Sequence, residues 1–232
     1  MHLLGEGAQV DRKIIPTAKS YYLFVRGVFM LAEVNTWATS TVGPQNFQMK
    51  WYMGRPRPEE VAYKIKMGEI PADAVPTPIH ELLQPMSVAN YGRNFTAYPE
   101  GSPRHPAFPA MHSAASAASM WMPIVMDLTP AQICEVKKVD YAISFARTVA
   151  GVHYSTDNIA GLQLGQEIIA RKLPRYLASN FGGDIRDIRR KISEIRFQWE
   201  DYENDPVCFP TQSANRRRNL RISATGNKEK DD

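Results

Sequence analysis

The segment from His112 to Met126 contains no formally charged side chain, and this feature restricts the possible folds of the chain more than any other. Pro109 stands just before it and suits the first turn of a helix. A helix without charges on any face belongs in a protein core. A membrane span needs about 18 or more consecutive apolar residues, and this segment, which contains His112 and several serines, is too short and too polar. We therefore predict a buried helix around which the other elements pack.

Further helices are indicated by apolar residues that recur at helical spacing. Prolines and glycines between Arg55 and Pro109 leave room there for short helices and long loops only. The predicted helices cover 18–40, Glu59–Met67, Ile79–Leu83, Thr129 to about Gly151, Ser155 or Thr156 toward Pro174, and Ile185–Ile195. In the helix after Thr129, the predicted buried stripe includes Val139, Ile143 and Ala146, and Arg147 lies on it. The fold class is predicted to be all-α.

The length of 232 residues and the hydrophobic content of 44% are sufficient for one sizeable core. We predict one helical domain over 1–204 and a polar, basic and disordered tail over 205–232. The net charge of +4 is small, and a run such as Arg216–Arg218 is more often a solvated tail than a nucleic-acid site. No nucleic-acid partner is predicted.

The two cysteines, Cys134 and Cys208, lie far apart and form no CxxC pair or His/Cys cluster. We predict that both are free thiols.

The N-terminal residues show no basic segment followed by an apolar one, so no signal peptide is indicated. The expectation is a soluble, cytoplasmic protein without a membrane partner.

The first motif that carries chemistry is Lys50-Trp-Tyr-Met-Gly-Arg-Pro-Arg57-Pro58. Alone it also fits a solvated basic turn, because lysine and arginine are usually exposed. The second motif, His105-Pro-Ala-Phe-Pro-Ala-Met-His112, ends just inside a predicted helix start. Free backbone N–H groups at such a position favour an anion.

The third motif is Arg147-Thr-Val-Ala-Gly-Val-His153-Tyr-Ser-Thr-Asp157. A guanidinium stays charged and is costly to bury without an anionic partner. Either a carboxylate or a bound oxyanion should therefore face Arg147. Asp157 follows His153 by four residues, close enough on a helical turn to hold the imidazole in one tautomer.

Taken together and in this order, the three motifs resemble those of the superfamily that joins vanadium-dependent haloperoxidases with type 2 phosphatidic acid phosphatases. The resemblance covers about residues 45–170. The motif sequences KWYMGRPRPEE, HPAFPAMH and ARTVAGVHYSTD most resemble those of soluble haloperoxidases of the algal and bacterial kind.

The resemblance implies an all-helical bundle that holds vanadate as cofactor, or phosphate in the phosphatases. It makes His153 the ligand of vanadium, or the nucleophile on phosphorus. Lys50, Arg57 and Arg147 would bind the equatorial oxygens of the anion. His112 would act as acid or base at the apical oxygen. The implied substrates are hydrogen peroxide and a halide, with a small organic acceptor for the halogen.

His105 matches the position at which bromoperoxidases of this family carry histidine and chloroperoxidases carry an aromatic residue. The resemblance therefore favours bromide or iodide as the halide. A structural cap on the proline-rich loop is the other interpretation of His105.

The chain departs from the family at Ala110 and Met111, where the pattern has Ser-Gly, so one hydroxyl to the oxyanion is missing. Soluble haloperoxidases of this kind also have a much longer segment before the first motif. This leaves open a bundle that lacks its N-terminal part, whose walls a homo-oligomer could complete. Two alternatives to the haloperoxidase stay open: a soluble acid phosphatase that uses the same residues, and a homologue with weak or no activity.

Overall fold

The computed structural model describes residues 18–85, 97–98, 100–126, 128–204 and 208. Within these residues the regular structure is helical throughout, which confirms the all-α prediction. The helices are α1 (Ala18–Met53), α2 (Pro58–Lys66), α3 (Thr77–Leu83), α4 (Met111–Ala115), α5 (Ala118–Val125), α6 (Pro130–Val149), α7 (Ser155–Phe181), α8 (Ile185–Ile195) and α9 (Trp199–Asn204). No helix of the described part is long and apolar enough to cross a membrane.

Helix α1 extends past the predicted end near residue 40 and continues through Pro44 to the first motif. Proline removes one backbone hydrogen bond from a helix, but buried residues on both sides of Pro44 hold the helix against the core. They include Val42, Asn46 and Lys50, which recur every four residues and are at most 1% exposed. The extension places Lys50 in the last turn of α1.

The predicted buried helix from His112 to Met126 is divided into α4 and α5 by a turn at Ser116 and Ala117. Its burial is as predicted: Met120, Trp121 and Ile124 belong to the main hydrophobic core. Helices α1, α7 and α8 contribute the other core side chains. The sequence pattern therefore predicted the position of this segment correctly but not its division into two helices.

Helix α7 lies directly against α4 and continues through Pro174, where the sequence predicted its end. A Cβ atom on Gly161 would stand 2.3 Å from the carbonyl oxygen of Ala110, and one on Gly165 would stand 2.2 Å from that of Ala114. Only glycine permits such an approach of two backbones. The pair of glycines fixes the distance between α4 and α7, which carry parts of the second and third motifs.

Helix α6 begins at the predicted cap, where Thr129 and Gln132 form a capping box. The predicted buried stripe is wrong in its middle, because Val139 is 55% exposed and Ile143 is 36% exposed. The face that packs inward instead carries Asp140, Tyr141 and Ser144. Aromatic contacts of Tyr141 with Trp199 and Tyr202 of α9, a helix that the sequence pattern did not predict, draw this face inward.

Cys134 and Cys208 form a disulfide, so the prediction of two free thiols is wrong. The residues are 74 positions apart in sequence, but their Cα atoms lie 5.0 Å apart, within the range that a disulfide spans. Spacing in the sequence cannot reveal a contact that tertiary structure creates. The predicted tail over 205–232 lies outside the described residues apart from Cys208.

Candidate functional site

The first motif places a buried ammonium group at the end of α1. Lys50 is fully buried, and its Nζ donates hydrogen bonds to the carbonyl oxygens of Pro106 (3.0 Å) and Ala107 (2.9 Å). Burial, reinforced by the positive charge of Arg57 and opposed by Asp157, lowers the pKa of Lys50 to about 7. This side chain therefore ties α1 to the loop that leads into α4.

Arg57, which is 4% exposed, joins the three motifs through its guanidinium group. Its Nε donates to the carbonyl oxygen of His105 (2.9 Å) and its Nη1 to that of Val152 (2.8 Å). The same group lies 3.2 Å from Nε2 of His153 and 3.2 Å from Nδ1 of His105. Burial lowers the pKa of Arg57, against the opposing charges of Asp157, Tyr98 and Glu59.

His153 lies in the turn between α6 and α7 and is oriented by Asp157. Its Nδ1 is 3.1 Å from Oδ2 of Asp157, which also accepts from the backbone N–H of Tyr154. When Nδ1 carries the proton and donates it in a hydrogen bond to the carboxylate, the lone pair of Nε2 faces Arg57. Burial lowers the pKa of His153 to about 4, although Asp157 opposes the shift, so the imidazole is neutral at neutral pH.

Arg147, near the end of α6, is half-buried beside the second motif. Its Nη1 lies 3.4 Å from Nε2 of His112 and donates to the hydroxyl of Tyr98. Its Nε is buried and has no hydrogen-bond partner among the described residues. A buried donor without an acceptor is uncommon in proteins, so this guanidinium has unused capacity for an anion.

The two histidines of the second motif have a pKa below the ordinary value of 6.5. For His112 the causes are partial burial, then the positive charges of Arg147, Lys50 and Arg57. For His105 they are burial, then the charges of Arg57 and Lys50. His105 also packs edge-on against Phe47, with ring centroids 5.0 Å apart.

The balance of charge in the cluster is positive. Lys50 and Arg57 donate to carbonyl oxygens and histidine nitrogens, and no ion pair to a carboxylate is found for either within the described part of the chain. The carboxylate of Asp157 is shared by His153 and by Arg55, whose Nη1 lies 2.8 Å from Oδ1. A buried excess of positive charge is costly unless an anion offsets it.

The structure thus brings together the cationic and imidazole side chains named from the sequence, with Asp157 behind His153. The two departures from the family pattern lie beside them. Ala110 is buried and its N–H donates to the carbonyl oxygen of Asp157 (2.8 Å). The methyl carbon of Met111 is 3.5 Å from where a Cβ on Gly43 would lie, so this side chain packs on α1.

A network of hydrogen-bonded polar side chains behind the cluster was not predicted. Ser113 donates to the amide oxygen of Asn158 (3.2 Å), and the amide nitrogen of Asn158 donates to Thr148 (2.8 Å). Each of these three residues directly follows a named site residue in the sequence, so the network links α4, α6 and α7. Two further residues were not named as site residues: Arg55, although it stands inside the first motif, and Tyr98, which belongs to none of the three motifs.

No group of three or more histidine, cysteine or acidic side chains suited to a metal cation is found among the described residues. The donors of the cluster are cationic side chains and imidazoles. This donor set matches a metal oxyanion or a phosphate rather than a bare metal cation.

Comparison with known proteins gives one informative similarity. A vanadium-dependent bromoperoxidase from Ascophyllum nodosum is 25% identical over 217 residues, covering 75% of this chain. The chain spans 37% of the length of that bromoperoxidase. No protein-family model and no solved structure matches the chain.

Proposed function

We propose that the cluster around Lys50, Arg57 and Arg147 binds a tetrahedral oxyanion and that, with vanadate as this anion, the protein is a haloperoxidase. The observation that carries the proposal is the buried positive charge of Lys50 and Arg57 without a carboxylate of their own. A bound oxyanion would supply the missing negative charge and accept hydrogen bonds from both groups. Arg147 would add its free Nε–H.

The choice of vanadate over phosphate is supported by the similarity to a vanadium-dependent bromoperoxidase. The residues present fit vanadate, because it is an oxyanion that a single imidazole can ligate while cations hold its oxygens. When bound, vanadate would supply the activation of hydrogen peroxide toward a halide ion.

The side chains of the cluster have distinct proposed roles. His153 would ligate the anion through its neutral Nε2, where the anion would replace Nη1 of Arg57, now 3.2 Å away. Asp157, steadied by Arg55, holds the ring in the tautomer whose lone pair is on Nε2. Lys50, Arg57 and Arg147 stabilise negative charge on the anion, with donors already in place before it binds. His112, at the open side of the cluster and beside Arg147, would transfer a proton to or from the outer oxygen.

The proposed halide is bromide or iodide, because His105 lies where the family's bromoperoxidases carry histidine. The ring lies beside Phe47 at the edge of the cluster, next to Arg57. The organic acceptor is proposed only as a small molecule.

The test combines binding and turnover. Orthovanadate should raise the melting temperature of the protein, because a ligand that binds only the folded state stabilises it. Vanadate, hydrogen peroxide and bromide together should then brominate a phenolic dye, and a phosphatase assay should be run beside this one. His153→Ala should lose the dye reaction, whereas His80→Ala, a variant of a partly buried histidine on α3 outside the cluster, should keep it.

The outcomes separate the alternatives. Phosphate-ester hydrolysis without bromination would replace the haloperoxidase by an acid phosphatase. A thermal shift without either reaction would indicate a homologue that retains the anion site but not efficient chemistry. No thermal shift with vanadate or phosphate would refute the anion site itself.

A further inference from the structure

One face of α1 points away from the core and carries exposed side chains along residues 22–40. These residues recur at alternating intervals of four and three positions, which keeps side chains on one side of a helix. Two of them are large aromatic residues, Tyr22 and Phe29, which are 63% and 71% exposed. Exposed aromatic side chains grouped on one face are typical of an interaction surface. The members of this outer face of α1 are Tyr22, Arg26, Phe29, Glu33, Thr36 and Ser40.

A groove runs along the outer face where α1 meets α7. Its volume is about 520 Å³, and its lining includes Phe29, Glu33, Trp37, Ser40 and Tyr176. The rings of Trp37 and Tyr176 are stacked, with centroids 4.2 Å apart, and the hydroxyl of Tyr176 donates to Oε1 of Glu33 (3.0 Å). The groove therefore has a fixed aromatic wall and is open to a side chain from another molecule.

The outer face carries one residue of each charge. Arg26 and Glu33 lie seven positions apart, about 10 Å along the helix axis, and both are exposed. Within the described part of the chain, no ion pair is found for either side chain. Each of them can therefore take an opposite charge from another molecule.

The order of these residues makes the outer face complementary to itself. In a dimer with a two-fold axis, residue i of one copy contacts residue j of the other, and the reverse contact is also made. Two antiparallel α1 helices related by an axis between positions 29 and 30 bring Arg26 of each copy opposite Glu33 of the other, because both residues are equally distant from the axis. The same symmetry brings Tyr22 opposite Trp37 and places the two copies of Phe29 side by side.

We propose that the outer face of α1 binds a second copy of this chain, with the two α1 helices antiparallel across a two-fold axis next to Phe29. Arg26 and Glu33 form two reciprocal ion pairs, and Tyr22 of each copy enters the groove of the other beside Trp37. The contact covers about 22 Å of helix, which is small for an interface of the standard size of about 1,600 Å². The dimer is therefore reversible, with a dissociation constant on the order of micromolar.

The first experiment measures self-association by analytical ultracentrifugation over a range of protein concentrations. Arg26→Glu and Glu33→Arg each place like charges opposite one another, so each should weaken the dimer by at least about tenfold. Combining Arg26→Glu with Glu33→Arg exchanges the two charges and should restore association. Glu69→Arg is the matched control, because Glu69 is exposed and lies outside α1; it should associate as the parent does.

Mixing the two single variants tests the two-fold symmetry directly. Neither variant should associate with itself, but an equimolar mixture should form a heterodimer, because the two chains then carry opposite charges at both contact positions. Association in the mixture would also show that both variants are folded.

A cross-linking experiment locates the axis. Phe29→Cys should form a disulfide-linked dimer under mild oxidation, because the two side chains meet next to the axis. Tyr52→Cys, a change at a residue of α1 that is 84% exposed and outside the outer face, should stay monomeric. The native cysteines do not interfere, since they are joined to each other.

The outcomes bear on the dimer alone, because it does not depend on the proposed anion site. A parent that remains a monomer up to about 1 mM would overturn the proposal. A dimer of unchanged affinity in both single charge variants would place the interface on another face and overturn it as well. A mixture of the variants that fails to associate would exclude the two-fold arrangement.

Discussion

Burial of the Lys50 ammonium group, reinforced by the positive charge of Arg57, makes the site sensitive to pH because it lowers the pKa of this group. Its pKa of about 7 lies below the ordinary 10.5. Between these values the folded state binds fewer protons than the unfolded state, so the stability of the anion-free protein rises with pH across that window. Anion binding has the opposite dependence, because the anion prefers Lys50 charged.

We expect the affinity for sulfate, whose own charge is constant in this range, to fall about tenfold per unit as pH rises above about 7. His105 and His112 titrate below 6.5, so they contribute little to this change. Calorimetric titrations from about pH 6.5 to about 8.5 would measure the slope.

Two lysine variants identify the group responsible. Lys50→Met should bind sulfate weakly at every pH and lose the slope. Lys138→Met, a change at an α6 lysine whose side chain is 42% exposed and paired with Glu135, should retain both affinity and slope. A slope that persists in Lys50→Met would assign the titration to another group.

The contact between α4 and α7 sets the site geometry, because α4 carries His112 while α7 carries Asp157. A methyl group on Gly161 would force the two backbones apart, since its carbon would stand 2.3 Å from the oxygen of Ala110. We expect Gly161→Ala to lower the free energy of unfolding by about 1–3 kcal/mol, as measured by urea denaturation. It should also weaken anion binding, because the displacement moves His112 away from Arg147.

Gly43→Ala provides the control on α1. Apart from its chain neighbours, a Cβ there would meet the methyl carbon of Met111, at an ordinary 3.5 Å. Alanine has the higher helix propensity, but a Cβ before Pro44 meets the proline ring, so we expect this variant to stay within about 1 kcal/mol of the parent. Equal losses of stability in both variants would mean that the close approach of α4 and α7 does not set the packing.

Local signals in the sequence predicted the helices best where a cap or a regular apolar spacing is present. Thr129 followed by Pro130 predicted the start of α6, and the apolar spacing of Ile185, Ile188, Ile192 and Ile195 predicted α8. Tertiary contacts decided the rest. Pro44 and Pro174 did not end their helices, because packing on either side outweighed the loss of one backbone hydrogen bond.

The residues of the candidate site could be predicted where they belong to one of the three sequence motifs. Lys50, Arg57, His112, Arg147 and His153 were named from spacing and resemblance, and the structure brings them into one cluster. The reason given for Arg147, a buried apolar stripe, was wrong, since much of that stripe is exposed. Arg55 stands inside the first motif, but nothing in the sequence distinguished its role from that of Arg57, and Tyr98 reaches the cluster through loop geometry, for which the sequence holds no periodic signal.

At the scale of the whole molecule, the disulfide closes a loop that contains most of α6 and all of α7, α8 and α9. Disulfides persist mainly in oxidising compartments, so this bond speaks against the cytoplasmic location, which stays a prediction. A homo-oligomer also stays a prediction. Val139, Phe145 and Val149 of α6 are among the exposed apolar side chains of the described residues.

The disulfide should stabilise the fold without shaping the anion site. Cys134 lies near the start of α6, and Arg147 lies thirteen residues later, about 20 Å along the helix at 1.5 Å per residue. Closing a loop of 74 residues restricts the unfolded chain, and removing such a bond costs about 2–5 kcal/mol. We expect the double variant Cys134→Ser and Cys208→Ser to lose stability by this amount in urea denaturation.

The same variant should bind vanadate within about twofold of the parent, because a loss of unfolded-state restriction does not alter the folded site. Reductant should destabilise the parent and leave the double variant unchanged, and thiol labelling of the unreduced parent should find no free cysteine. Two labelled thiols in the parent would refute the bond. A large loss of anion affinity in a fully folded double variant would instead show that the disulfide influences the position of Arg147 through helix α6.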